Sequence, residues 1–326
     1  MIFGEKLEKQ YINVAENINI AVCTKGDGPP LLLLHGYPQT GYIWHKIAPM
    51  LAKDFTVVVA DLRGYGDSDK PPTSADHAVY SKRAMAADMI AVMAALGHQQ
   101  FFVAGHDRGG RVAHRLARDY PQAVERLAVL DIAPTAMMYD TTDMQFATNY
   151  YHWFFLIQPA PFPETLIGRD PKFFLESKMR HWGKDRSAIT EDAFDDYLRC
   201  FSNPDTIHAS CEDYRASASI DLEHDAADAG QKLDIPLLVL WGATAMVGNK
   251  YDMLAAWREV AVDVSGFSVP GGHYLPEESP DETYQALLNF FTLKSDTAAV
   301  KIARSHGSNS IVFLCISSPV LTFINF

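Results

Sequence analysis

The sequence predicts an α/β protein whose core is a mainly parallel sheet with helices on both faces, interrupted by one helical insertion. Short runs of continuous apolar residues, each closed by turn residues, indicate strands that are covered on both faces of a sheet. Helical patterns fall between several of these runs, and such alternation is typical of parallel sheets. Residues 135–235 contain no strand-like run, which indicates that the insertion lies there.

The predicted elements follow the chain in a regular order. The predicted strands lie at residues 31–35, 56–60, 101–104, 127–130, 237–241 and 267–269. The clearest helical pattern covers residues 81–97 and stops at Gly97, because glycine readily adopts the left-handed conformation that ends many helices. Ligands in sheets of this kind bind beyond the carboxyl ends of the strands, so we expect the functional residues there.

These boundaries predict a discontinuous core domain of residues 1–134 and 236–294, with residues 135–235 as a helical cap over the strand ends. Asp170 and Pro171 are expected to open one cap helix, since they form a typical N-cap and first-turn pair. The tail, residues 295–326, is apolar but too short to span a bilayer. We expect the tail not to belong to the fold.

Composition restricts the class of protein. The 326 residues are 48% hydrophobic and 21% charged, which is typical of a globular chain. The net charge of −12 argues against nucleic acid or an anionic membrane as a partner, and it means that an anionic substrate needs local positive charge in its site. The four cysteines are widely spaced, which predicts neither disulfides nor a metal site and favours a reducing, cytoplasmic location.

One turn carries a candidate nucleophile. Residues 101–121 have the pattern of a strand, a sharp turn and a helix. The G-x-D-x-G spacing of residues 105–109 places Asp107 at the centre of a nucleophile elbow, where the side chain stands at the top of the sheet. The helix N-terminus beneath it stabilises negative charge. An ordinary N-cap aspartate is the alternative interpretation of the same pattern.

Two further residues complete a candidate triad. His273 follows the last predicted strand, and Asp131 stands at the carboxyl end of an earlier one, in the chain order nucleophile, acid, histidine. We expect Asp131 to orient His273 and to stabilise its charged form, because residues 241–249, at the end of the next strand, carry no carboxylate. The backbone of residues 36–37 is a candidate N–H donor to a developing oxyanion. The alternative for His273 is a surface loop histidine.

Four segments together resemble a known family. GHDRGGR (105–111), YYHWFF (150–155), CEDYR (211–215) and PGGH (270–273) make the chain similar to α/β-hydrolases of the dehalogenase and epoxide-hydrolase branch, and most of all to haloacetate (fluoroacetate) dehalogenases. The resemblance covers nearly all of residues 5–293. It implies the α/β-hydrolase fold, a small anionic haloacetate as substrate, hydrolysis without a metal or cofactor, and a homodimer.

The chemistry of a carboxylate nucleophile agrees with this resemblance. Attack by a serine on an sp³ carbon would leave a stable ether, whereas attack by Asp107 leaves an ester that water can cleave. Asp107 therefore indicates displacement of a halide or an epoxide oxygen from an alkyl carbon. His273 is the expected base that activates the water.

Arg108 and Arg111 indicate an anionic substrate, because guanidinium groups bind carboxylates through forked hydrogen bonds. Without them, Asp107 and an anion about 4 Å away would repel by about 4 kcal/mol, which is roughly a thousandfold in rate. A surface ion pair is the alternative for Arg111, whereas Arg108, inside the turn, has no evident ion-pair partner. The resemblance implies that both arginines hold the substrate carboxylate.

The resemblance also implies a halide pocket of His152, Trp153 and Tyr214, whose N–H and O–H groups can bind a poor leaving group. Packing in the cap core is the alternative for such aromatic residues. An epoxide hydrolase would use the same nucleophile with Tyr150, Tyr151 or Tyr214 as acids, but a neutral epoxide does not need two arginines. A haloalkane dehalogenase usually has tryptophan at the position of Arg108. A non-catalytic binding protein on the same fold is the remaining alternative.

Overall fold

The computed structural model describes residues 2–3 and 9–293. The strands are β1 (Gln10–Ala15), β2 (Ile18–Lys25), β3 (Pro30–Leu34), β4 (Thr56–Ala60), β5 (Phe101–His106), β6 (Val124–Leu130), β7 (Leu237–Gly242) and β8 (Val264–Val269). They form an eight-stranded sheet in the order β1-β2-β4-β3-β5-β6-β7-β8. Strand β2 pairs antiparallel with β1 and β4, and every other pair is parallel.

The α-helices lie between and after the strands. Those of the described residues are α1 (Ala48–Leu51), α2 (Lys82–Ala95), α3 (Arg108–Asp119), α4 (Thr135–Asp140), α5 (Met144–Asn149), α6 (Tyr151–Leu156), α7 (Phe162–Arg169), α8 (Pro171–Trp182), α9 (Glu191–Phe201), α10 (Pro204–Ser217), α11 (Ile220–Ala227), α12 (Met246–Lys250), α13 (Met253–Arg258), α14 (Leu275–Glu278) and α15 (Pro280–Thr292). None of these helices is long and apolar enough to cross a membrane.

The sheet is buried on both faces, as the continuous apolar runs predict. In β3, Leu32 and Leu34 belong to one hydrophobic core cluster, and Leu31 and Leu33 belong to a second. Successive side chains of a strand point to opposite faces, so each cluster covers one face of the sheet. The predicted α/β fold with a mainly parallel sheet and helices on both faces is confirmed.

The six predicted strands are present, but β1 and β2 are additional. Strand β1 lies at the edge of the sheet and alternates between exposed and half-buried residues, so it lacks the continuous apolar run of a central strand. Helix α2 agrees with its prediction at both ends. The Ser81 hydroxyl accepts a hydrogen bond from the N–H of Ala84 at the N-terminus, and Gly97, with a φ of 87°, follows the C-terminus.

Residues 135–235 carry helices α4 to α11 and no strand, as expected for the insertion. Helix α8 begins with the predicted pair, because the Asp170 side chain accepts a hydrogen bond from the N–H of Phe173, and Pro171 is the first helical residue. The contacts of the chain group the residues up to Thr292 as one compact unit, so the division into core and cap stays a prediction. The predicted tail, 295–326, lies outside the described residues.

Candidate active site

Asp107 lies in a sharp turn between β5 and α3, in agreement with the predicted strand, turn and helix. Its φ is 47°, a left-handed conformation that is strained for a residue with a side chain and that often marks a functional turn. Gly109 makes the turn possible, because a Cβ there would lie 2.3 Å from the backbone oxygen of His35. Helix α3 can therefore begin directly against the end of β3.

The side chain of Asp107 is not a helix cap. Asp107 occupies the N-cap position of α3, but its carboxylate makes no capping hydrogen bond. Its Oδ2 instead accepts a hydrogen bond of 2.9 Å from the backbone N–H of Tyr37, the donor that the sequence suggested for an oxyanion. The N-cap alternative is therefore wrong, because the carboxylate turns towards the end of β3 and away from the first turn of its own helix.

The surroundings of Asp107 favour its ionised form. Burial by itself would raise the pKa, but the charges of His273, Arg108 and Arg111 lower the pKa of Asp107 below its ordinary value. An ionised carboxylate is the form that can attack a carbon atom.

His273 and Asp131 form a buried pair whose charges interact with that of Asp107, the candidate nucleophile. Nδ1 of His273 lies 2.6 Å from Oδ2 of Asp131, and the N–H of Gly242 donates to Oδ1 of Asp131 at 3.0 Å. A proton on Nδ1 fits this contact and leaves Nε2 as the basic nitrogen. His273 is only 7% exposed, so the alternative of a surface histidine is wrong.

Charge and burial act in opposite directions on His273. Burial disfavours the imidazolium ion, but the hydrogen bond and the charge of Asp131, together with the charge of Asp107, raise the pKa of His273. His106 stays neutral, since burial and the charge of His273 lower its pKa to about 3. His106 can then donate from Nε2 to the backbone oxygen of His273, 2.8 Å away, and this contact fixes the loop.

Arg108 differs from its prediction. Its guanidinium is fully buried and forms an ion pair with Asp213, with Nε and Nη2 at 2.8 Å and 2.7 Å from the two carboxylate oxygens. The expectation that Arg108 has no ion-pair partner is wrong, because α10 brings Asp213 into the turn from 105 residues further along the chain. Nη1 of Arg108 remains buried without a hydrogen-bond partner among the described residues.

Asp213 is the centre of a buried charge cluster. It also accepts hydrogen bonds from the Tyr65 hydroxyl, at 2.6 Å, and from Lys82. Arg108 is therefore held in one orientation, with much of its charge balanced inside the protein and one N–H edge left for a ligand. Asp213 lies within CEDYR, one of the four segments that carry the resemblance, but no pattern in the sequence indicates a role for it.

Arg111 is buried, with 5% exposure, so the alternative of a surface ion pair is wrong. Its Nη1 donates to the backbone oxygen of Ala133 at 3.0 Å and to the Thr135 hydroxyl at 2.7 Å. No described Asp or Glu forms a salt bridge with Arg111, and its Nε has no hydrogen-bond partner among the described residues. Burial and Arg108 lower the pKa of Arg111, so a bound anion would stabilise its charge.

His152, Trp153 and Tyr214 lie together and are buried. The His152 and Trp153 rings are 5.5 Å and 6.4 Å from the Tyr214 ring. Both arginines pack against these rings. Cζ of Arg108 lies 4.1 Å from the centre of the Tyr214 ring, and Cζ of Arg111 lies 4.8 Å from the centre of the Trp153 ring. Trp153 and Tyr214 also belong to a core cluster, so the cap-core alternative describes them correctly as well.

Trp182, at the end of α8, is a site residue that the sequence did not assign. The centre of its ring lies 4.5 Å from the centre of the His152 ring and 5.6 Å from that of His273. Its Nε1 is buried and has no hydrogen-bond partner among the described residues. Its backbone oxygen accepts a hydrogen bond of 3.0 Å from the N–H of His273. No motif spacing marks this tryptophan, because its position depends on how the helices of residues 135–235 pack.

A cavity of about 220 Å³ opens beside the triad. Asp131, His273, Tyr150, Trp182 and Met246 are among its lining residues. This volume is enough for several water molecules, and it reaches the imidazole of His273, the expected base. Among residues 2–3 and 9–293, no group of three or more His, Cys, Asp or Glu side chains is placed to hold a metal ion.

Known proteins resemble this chain over most of its length. Residues 29–280 match the family model described as the alpha/beta hydrolase fold. The chain belongs to the α/β-hydrolase family. The crystal structure of an alpha/beta hydrolase from Nostoc sp. PCC 7120 superposes on this α/β-hydrolase chain with a TM-score of 0.87 and 58% identity, covering 89% of this chain and 99% of that one.

Two relatives have names that state an activity. The fluoroacetate dehalogenase of Burkholderia sp. is 43% identical over 293 residues, which are 88% of this α/β hydrolase and 95% of the relative. The soluble epoxide hydrolase of Corynebacterium sp. (strain C12) is 37% identical over 272 residues, which are 82% of this chain and 92% of the relative. The resemblance to haloacetate dehalogenases within the α/β-hydrolase family is confirmed.

Proposed function

We propose that this α/β hydrolase is a haloacetate dehalogenase that converts fluoroacetate, chloroacetate and bromoacetate to glycolate and halide through an ester on Asp107. One observation supports this most directly. Arg111 is a buried cation without an acidic partner among the described residues, and Nη1 of Arg108 has no hydrogen-bond partner there either. The charges of both arginines lower the pKa of Asp107, the proposed nucleophile. A neutral substrate would leave these donors unpaired, whereas a substrate carboxylate would satisfy them.

In the first step, Asp107 attacks the α-carbon. The Tyr37 N–H holds Oδ2, so Oδ1 is the oxygen that attacks. The bond between Oδ1 and the α-carbon forms as the carbon–halogen bond breaks, and the halide leaves with the bonding electron pair. His152, Trp153 and Tyr214 supply N–H and O–H groups for this halide. The product of the step is an ester between Asp107 and the two-carbon acid.

In the second step, His273 takes a proton from water, and the hydroxide attacks Cγ of Asp107. Negative charge develops on Oδ2, which already accepts a hydrogen bond from Tyr37. The bond between Cγ and Oδ1 then breaks. Glycolate leaves with Oδ1 as its hydroxyl oxygen and takes the proton from His273. Asp107 keeps one oxygen from water, and its new carboxyl group loses a proton.

A substrate panel tests the function. Halide release should be measured with fluoroacetate, chloroacetate and bromoacetate, and the expected result is release from at least one of them together with an equal amount of glycolate. No release from any of the three would refute the proposal.

A labelling experiment tests the ester. In a single turnover in ¹⁸O water, with enzyme in excess over substrate, glycolate should contain unlabelled oxygen and the label should enter Asp107. Labelled glycolate in this first turnover would mean that water attacks the α-carbon directly.

Epoxide hydrolysis is the second candidate. The similarity to the Corynebacterium epoxide hydrolase supports it, as does the position of Tyr214, a buried phenol beneath the Arg108 guanidinium. Burial and Asp107 raise the pKa of Tyr214, which makes it a weaker acid for this reaction. Tyr151 is a weak candidate acid, because it is 43% exposed. Turnover of styrene oxide without turnover of any haloacetate would favour this function.

A further inference from the structure

Lys178, on α8, is a buried amine without a hydrogen-bond partner. The residue is 1% exposed, and no described residue accepts a hydrogen bond from its Nζ. Burying an ammonium group without a counter-ion is strongly unfavourable. Burial lowers the pKa of Lys178 to about 7, and an anion next to the amine would favour its charged form. The arrangement suits a ligand of negative charge.

Aromatic rings connect Lys178 with the leaving-group pocket. Nζ lies 3.5 Å from the centre of the Tyr151 ring and 5.1 Å from the centres of the Phe174 and Trp182 rings. The Trp182 ring is in turn 4.5 Å from His152. After burial, the charge of Lys178 is the largest cause that lowers the pKa of His152. The amine is therefore separated from His152 by a single ring.

The other side of this group borders solvent. Tyr151, whose ring contacts the amine, is 43% exposed. An ion that moved from His152 past Trp182 towards Tyr151 would pass Lys178. A competing account is a purely structural cation–π contact between Lys178 and Tyr151, which needs no ligand.

We propose that Lys178 forms a second halide site, which takes the ion after it leaves His152, Trp153 and Tyr214 and before it reaches solvent. The identity of the ion rests on the proposed function. The three N–H donors of the ammonium group suit one small monovalent anion. Two successive sites of modest affinity let an ion leave a buried pocket without one large barrier. The ion moves unchanged, and no bond is made or broken.

Bromide is the probe for this site. Crystals of the wild-type chain with bromide, measured at the bromine absorption edge, should show an anomalous peak within about 3.5 Å of Nζ, in hydrogen-bond range. Lys178→Met should abolish this peak and leave a peak at His152. Lys178→Arg should retain it, and this variant also serves if the methionine variant does not fold. No peak at Nζ, when the pocket of His152 is occupied, would refute the second site.

Inhibition by bromide gives a second measurement. With chloroacetate as substrate, Lys178→Met should raise the inhibition constant of bromide by about tenfold or more, because the variant loses a charged hydrogen bond to the ion. Lys172→Met is the matched control, because Lys172 lies on the same helix and is exposed. An unchanged inhibition constant in Lys178→Met would contradict the proposal.

The two proposals can fail separately. If no haloacetate is turned over but bromide binds at Nζ, the dehalogenase proposal is wrong and the anion site stands. If haloacetates are turned over and bromide never binds at Nζ, the dehalogenase proposal stands and the second site is wrong.

Discussion

At the scale of single residues, the two oxygens of Asp107 have different surroundings. Oδ2 is held by the Tyr37 N–H, and no described residue donates a hydrogen bond to Oδ1. Replacing Asp107 with asparagine removes the nucleophile but leaves both arginines in place. We expect Asp107→Asn to lose at least about 10⁴-fold in turnover and still to bind chloroacetate, at least as tightly as the wild type does, because both arginines stay and the charge that repels the substrate carboxylate is lost.

Halide release and calorimetric titration with chloroacetate measure these two effects. Asp119→Asn is the control, since Asp119 ends the same helix in ion pairs with Arg83 and Arg115. An Asp107→Asn enzyme with more than about one hundredth of the wild-type activity would show that the nucleophile is wrongly assigned.

His273 should determine the pH dependence of ester hydrolysis. Only neutral His273 can take a proton from water, and its pKa is raised above its ordinary value of about 6.5. Activity should therefore be low in acid, rise through neutral pH and level off in weak alkali. A pH–rate profile of chloroacetate turnover at constant ionic strength measures this. Asp131→Asn should move the rise to lower pH and lower the plateau. A rise centred below pH 6 in the wild type would contradict this role of Asp131.

In the proposed function, Asp213 is a positioning residue, because it contacts Arg108 and would act on the substrate only through that guanidinium. We expect Asp213→Asn to raise the KM for chloroacetate about tenfold and to change kcat by less than about threefold, because Arg108 loses its ionic partner but the nucleophile and base stay intact. Steady-state kinetics separate the two constants. Asp228→Asn, which removes an acid from the remote ion pair with Arg115, should change neither. A fall in kcat with unchanged KM would contradict this role.

At the scale of elements, Glu277 links three parts of the fold. This buried residue of α14 accepts hydrogen bonds from Gln39, after β3, at 2.7 Å and from Tyr197 of α9 at 2.9 Å. Burial outweighs these contacts and raises the pKa of Glu277 to about 8. The unfolded carboxyl group ionises near pH 4.3, so between about pH 5 and 8 the folded state holds one proton more than the unfolded state. This residue therefore lowers the stability as pH rises through that range.

Glu277→Gln removes this titration. The free energy of unfolding of the variant, measured with denaturant, should rise by about 2–4 kcal/mol relative to that of the wild type as the pH increases from 5 to 9. Glu282→Gln, at an exposed position of α15, is the control. A difference between Glu277→Gln and the wild type that does not change with pH would mean that Glu277 is already ionised in the folded protein.

The sequence predicts those elements whose pattern is local. Central strands are continuous apolar runs, and the glycines around Asp107 define its turn, so the sheet and the positions of Asp107, Asp131 and His273 follow from short segments. Asp213 and Trp182 do not follow in this way, because the helices of residues 135–235 must pack before either residue reaches the site. For the same reason, the ion pair between Arg108 and Asp213 does not follow from the sequence around Arg108.

At the scale of the whole molecule, the net charge of −12 opposes the approach of an anionic substrate. Salt should screen this repulsion, since the screening length falls from about 30 Å at 0.01 M to about 8 Å at 0.15 M ionic strength. We expect kcat/KM for chloroacetate to rise about twofold over this range in sodium sulfate, while kcat at saturation stays constant. A fall in kcat/KM would mean that the arginines of the site dominate the field that the substrate meets.

The hydrogen bond from the His273 N–H to the Trp182 backbone oxygen ties the loop of His273 to the C-terminal end of α8. The placement of the imidazole therefore depends on the placement of that helix end. A substitution that shifts the end of α8 should slow hydrolysis of the proposed ester, even though it alters neither Asp107 nor His273.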